Sequence, residues 1–130
     1  MTDDDVKRWF AEYLAAFAAC GRGEREAKVL LGYYGVPIVF TTDERSAAVT
    51  SEEQVLAVAK QQIDGMRAAQ YHHSEVLEAS VVVLNATSAL YRGAFSRVRP
   101  DGSEINRLTV SYLITDGAAG RRISALMVHG

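Results

Sequence analysis

Cysteine is nearly absent from this chain: the single Cys20 cannot close an intramolecular disulfide, which fits a reducing compartment and an expected cytoplasmic location. No apolar run approaches the roughly 20 residues that cross a bilayer. The first residues are acidic (Asp3, Asp4, Asp5) where a secretory leader is basic, so neither a membrane partner nor a signal peptide is expected. Charge of one sign is not in excess either. The chain has 14 Lys and Arg against 16 Asp and Glu, a net charge of −2, which offers no electrostatic footprint for nucleic acid. Walker and GxGxxG patterns are missing, and no His, Cys, Asp and Glu cluster has ligand spacing, so no cofactor and no metal are expected. His72 and His73, adjacent on an extended segment, should point to opposite faces and cannot share an ion. Without repeats, low-complexity tracts or linkers, residues 1–130 are read as a single domain.

What is present divides into a helical half and a sheet half. Hydrophobic residues at 48% and charged ones at 23% suit an ordinary globular chain. Thr2 or Asp3 can cap a first helix, with the acidic side chains that follow where the helix dipole favours them. Val6, Trp9, Phe10, Tyr13, Leu14 and Phe17 give that helix one broad apolar face, and Cys20 to Gly23 end it. A shorter helix is expected over Glu24–Leu31. A strand over Val36–Thr41 should lie at a sheet edge, because Pro37 has no N–H to donate. After a polar turn and a short extended piece near Ala47–Thr50, Ser51 and Gln54 form a capping box. The helix it opens carries Val55, Ala59, Ile63 and Met66 on one stripe, expected to face the sheet, and stops near Gln70.

From Tyr71 the apolar period becomes two. Runs over Tyr71–Leu84, Thr87–Arg99, Glu104–Asp116 and Arg121–His129 are separated by short turns, so they are antiparallel neighbours in a meander. Alternation assigns Leu77, Ala79, Val81 and Val83 to the inner face, with Tyr91, Gly93 and Phe95 beside them. Leu108, Val110, Tyr112 and Ile114, then Ile123, Ala125 and Met127, continue that face. Gly93 reads as a bulge or bend in a curved sheet. Helices gathered on one face of such a sheet make an α+β fold.

In this order the chain resembles the nuclear-transport-factor-2-like (NTF2-like, cystatin-like) superfamily. Glu12-Tyr13-Leu14-Ala15-Ala16-Phe17 resembles its first helix, Leu30–Phe40 its entry to the first strand, and Ser51–Met66 its capped helix. Tyr71 to Leu77, Asp101 to Ile105 and Arg122 to His129 resemble an uncharacterised bacterial branch, near the SnoaL-like and ketosteroid-isomerase-like proteins. The resemblance implies a cone-shaped sheet around an apolar pocket, and commonly a homodimer through the outer sheet face. It does not imply an activity, since the fold hosts isomerases, cyclases, hydrolases and non-catalytic modules.

Residue by residue, the resemblance carries little chemistry across. Tyr13 falls at the oxyanion-binding tyrosine of ketosteroid isomerases, an enzyme whose tuned acids are a standard worked case. The base position falls near Phe40 and the second acid near Val110, and both are apolar. An epoxide-hydrolase constellation lacks inward aspartates beside Arg92 and Arg107. The remaining candidates are Tyr13, to orient a ligand oxygen, and His73 as a base, sharing a strand face with Glu75. Trp9, Tyr13, Phe17, Phe40, Met66, Tyr91, Phe95, Tyr112 and Met127 are the expected pocket lining. The expected partner is a small hydrophobic molecule, carbonyl-containing or polycyclic. A non-catalytic homodimeric interaction module is the alternative, with a polar dimer contact, since Glu78, Ser80, Arg107, Thr109 and Ser111 fall on the outer face.

Overall fold

In the computed structural model, which describes residues 1–130, the Thr2 hydroxyl accepts the Asp5 N–H at 3.2 Å and so caps α1 (Asp3–Gly21). This helix buries Val6, Phe10, Tyr13 and Phe17, the stripe its sequence predicts, with Trp9 and Leu14 half-buried at the margins. A tight 3₁₀ helix, Ala27–Gly32, stands where a short α-helix is expected. So short a segment gains little from α-helical propagation. β1 (Tyr34–Thr41) and β2 (Ser46–Val49) lead to α2 (Glu52–Ala68). At its start the Gln54 N–H donates to Ser51 Oγ at 3.2 Å, while Gln54 Oε1 accepts from Thr50 N–H at 3.2 Å, one residue further back than in the expected box. Val55, Ala59 and Ile63 are buried, but α2 packs on the 3₁₀ helix, α1 and β1 rather than across the central strands.

The second half is a meander of β3 (His73–Asn85), β4 (Ser88–Val98), β5 (Glu104–Gly117) and β6 (Gly120–Val128). The six-stranded sheet runs β2-β1-β6-β5-β4-β3, with β1 parallel to β6 and every other pair antiparallel. The Pro37 strand is therefore interior, not at an edge. Proline is tolerated because β1 shifts register against β6 between Tyr34 and Val39 and begins pairing with β2 only at Ile38. The helices cover one face of this curved sheet, giving an α+β architecture. Phe10 of α1 stacks on Tyr91 with ring centroids 3.8 Å apart and meets Tyr112 edge-on at 4.7 Å, which fills the core under the helix.

Bulges decide which residues reach that core. Val76 pairs with Phe95 and Glu78 with Ala94, leaving Leu77 unpaired. Ahead of Leu77 the faces invert: Ser74 and Val76 share the face of Phe95, while His73 and Glu75 turn outward. Similarly, Ile114 pairs with Ile123 and Leu113 with Ala125, so Ser124 is the extra residue. Beyond it Leu126 and Val128 face inward, and Ala125 and Met127 face outward. One inserted residue is enough to exchange the two faces of a strand. The expectation that Leu77, Ala125 and Met127 point into the core is corrected accordingly; Leu77 is 45% exposed. Neither bulge lies at Gly93, whose pairing is continuous on both sides. A Cβ at Gly93 would instead collide with the buried Phe95 ring, so the glycine supplies packing space.

Candidate functional site

Between α1, α2 and the inner sheet face lies a cavity of about 70 Å³. Leu14, Phe17, Phe95, Leu108, Val110, Leu126 and Val128 supply its apolar walls, and Tyr13, Tyr112, Gln62, Ser74 and Arg97 its polar atoms. A wider depression of about 450 Å³ on the outer face, along Glu78, Ser80, Arg92 and Thr109, is open and mostly polar. The recess under the helices is the better candidate because it is the more enclosed of the two and its walls are apolar.

A hydrogen-bond chain crosses one wall. The Tyr34 hydroxyl donates to Gln62 Oε1 at 2.9 Å, which leaves its oxygen to accept the Tyr13 O–H at 2.9 Å. Tyr13 thus spends its proton on Tyr34 and presents a lone pair to the cavity. Burial pushes the Tyr13, Tyr34 and Tyr112 hydroxyls above their ordinary pKa, and the nearby positive charge of Arg97 opposes that rise in each. These phenols stay neutral at physiological pH, and no carboxylate or imidazole stands in the walls. A general base is therefore missing from the cavity.

Of the residues expected to line the pocket, Tyr13, Phe17, Phe95 and Tyr112 do so. Trp9 packs on Tyr33 at 5.5 Å, Phe40 meets Tyr34 edge-on at 6.3 Å, and Tyr91 is held under Phe10. Met66 is half-buried against the core outside the walls, and Met127 is on the outer face. His73 shares a face with Glu75, 3.6 Å from its carboxylate, but the Leu77 bulge makes that the outer face, so it stands apart from Tyr13 and the cavity. The separation of His72 from His73 is corrected too. His72 precedes β3 and does not alternate with it, and the two Nδ1 atoms lie 2.9 Å apart. No group of three potential metal ligands forms around them. Leu14, Leu108 and Val110 stood on predicted apolar faces but not in the expected lining, and Gln62, Ser74, Arg97, Leu126 and Val128 were not anticipated on the inner side at all. Arg97 was reachable by one more step of two from Tyr91, Gly93 and Phe95, whereas Ser74, Leu126 and Val128 depend on the bulges.

A curved, mainly antiparallel sheet with helices on one face and an apolar cavity beneath them defines an NTF2-like, cystatin-like protein. Residues 3–130 match the family described as NTF2-like protein (DUF6841), and the chain belongs to that family. No curated protein matches it. Among solved structures, the yeast UBP3-associated protein BRE5 is similar with a TM-score of 0.71 at 11% identity, over 95% of this chain and 91% of that one. The association domain of CaMKII from C. elegans gives a TM-score of 0.68 at 13% identity, over 96% and 92%. An NTF2-like protein with a cystatin-like fold from Novosphingobium aromaticivorans gives 0.68 at 14%, over 97% and 79%. At these identities the likeness is one of fold. No helix is long and apolar enough to cross a membrane.

Proposed function

We propose that this protein binds a small, largely apolar organic molecule in the cavity between α1, α2 and the sheet, and that it does so without proton-abstraction chemistry. The observation that carries this is the partly enclosed recess beside the Tyr13–Tyr34–Gln62 chain. Its apolar walls and few convergent polar groups are the composition of a ligand site. A volume of about 70 Å³ against the roughly 300–1,000 Å³ of drug-sized sites, and the roughly 150 Å³ of a cavity that takes benzene, favours a short chain of a few carbons over a ring or polycyclic body. A cyclase or isomerase role draws no support from walls without a base. The test is a thermal-shift screen of small fragments on the parent and on Val110→Phe, whose ring fills the void. A ligand at a hundredfold excess over its Kd adds about 2.7 kcal/mol. Fragments should raise the Tm of the parent and not of the variant; fragments that stabilise both equally, or none that stabilise the parent, would defeat the reading.

A second reading, self-association through the outer face, rests on a different observation. Cross-strand pairing aligns Val82, Leu90, Leu113, Ala125, Val39 and Ala48 in one row across the sheet. Val82 is 55% exposed, Val39 38% and Leu90 36%. The neighbouring row is Ser80, Arg92, Ser111, Met127, Thr41 and Ser46, so an apolar band is bordered by a mainly polar one. A two-fold contact between copies buries such a band on itself. This supports a homodimer whose contact is more apolar than the residue types alone predict. The likeness to an association domain supports it in kind. The row and the cavity lie on opposite faces, so both readings can hold together.

A further inference from the structure

Arg97 lies two residues past Phe95 on β4, paired with Ser74 of β3, and forms part of the cavity wall. It is half-buried. The other half-buried arginines are held by the protein: Arg99 donates to the Ala69 carbonyl, Arg121 pairs with Asp116, and Arg122 donates to the Arg121 carbonyl. The Arg97 guanidinium has no such partner. Its polar companions in the wall are neutral: Ser74 is engaged with Tyr71 at 2.9 Å and Gln62 with Tyr34 at 2.9 Å, and the Tyr13 and Tyr112 hydroxyls carry no charge to balance it. No buried side-chain nitrogen in the protein lacks a partner, so the free Arg97 N–H groups face solvent at the cavity, where their planar fork matches a carboxylate.

Resting on the reading of this cavity as a ligand site, we infer that the ligand is a small organic anion, a monocarboxylate. Its carboxylate meets Arg97 while a short apolar body lies between Phe17, Val110 and Leu126. The Tyr13 oxygen, with its proton directed to Tyr34, repels a carboxylate oxygen, so the acid group sits at Arg97 and not at Tyr13. A neutral carbonyl compound makes no comparable use of the unpaired charge.

The experiment is calorimetric titration with propionate and butyrate against propionamide and butyramide, on the parent and on Arg97→Gln. The acids should bind the parent at least about 10-fold more tightly than the amides, and Arg97→Gln should weaken the acids by about 10- to 100-fold while leaving the amides unchanged. Added salt should weaken only the acids. Amides that match the acids on the parent would overturn the anion, and this comparison stands whether or not Arg97→Gln folds; the cavity reading would survive it. If neither acids nor amides bind and the fragment screen is also empty, both readings fall.

Discussion

Tyr13 shows what one side chain is asked to do here. It is buried, it meets Phe10 edge-on at 5.3 Å, and it closes the hydroxyl chain to Gln62. Tyr13→Phe leaves the Tyr34 oxygen without its donor and should cost about 1–2 kcal/mol in denaturant unfolding. The pH dependence follows from the raised hydroxyls of Tyr13, Tyr34 and Tyr112. An unfolded tyrosine loses its proton near pH 10.0, while these folded ones keep theirs. Above that pH the unfolded chain binds fewer protons than the native one, so stability falls as pH rises, and the contribution is intact below it. Tyrosinate absorbance from these residues should appear together with alkaline unfolding, and Tyr13→Phe should make the decline shallower. Tyr13, Phe17, Phe95 and Tyr112 were legible as pocket residues because α1, β4 and β5 hold their period from core to cavity. His73 and Met127 were not, because each lies past a one-residue insertion.

Those insertions belong to the scale of the strand, and they leave no mark in composition. Leu77 follows one apolar residue, Val76, and precedes a charged one, Glu78, as alternation would have it, and Ser124 is a small residue between Ile123 and Ala125, so nothing distinguishes them until register is known. The interior place of β1 was hidden for a related reason: its partner β6 lies at the far end of the chain, and a non-local parallel pairing has no local signal. Local devices were easier to read. Ser51→Ala removes the α2 cap and should cost about 1 kcal/mol. Gly93 was legible as a special position but not for its reason, which is the ring of Phe95 above it. Gly93→Ala should therefore destabilise by about 1–3 kcal/mol as that ring is displaced into the cavity, and fragment binding should weaken with it. A substitution at Gly93 without effect on stability would mean that Phe95 moves freely, contrary to its burial.

For the whole molecule, the change of apolar period at Tyr71 and the order of elements were enough to predict an α+β fold with helices on one face of a curved sheet, and the family resemblance implied its cone shape. The outer apolar row was not, because it joins residues from across the sheet that only the register aligns. If that row is a contact between copies, sedimentation should show the parent as a dimer and Leu113→Glu as a monomer with unchanged circular dichroism. A parent that stays monomeric would remove the second reading and leave the cavity as the sole functional feature. A methyl-resolved NMR titration with a fragment that raises the parent's Tm locates the bound molecule. A ligand in the cavity should give saturable shifts at Leu108, Val110, Leu126 and Val128, which line it, with Val82, Leu90 and Leu113 of the outer row unmoved. Shifts confined to the outer row, with the cavity methyls silent, would contradict the cavity reading.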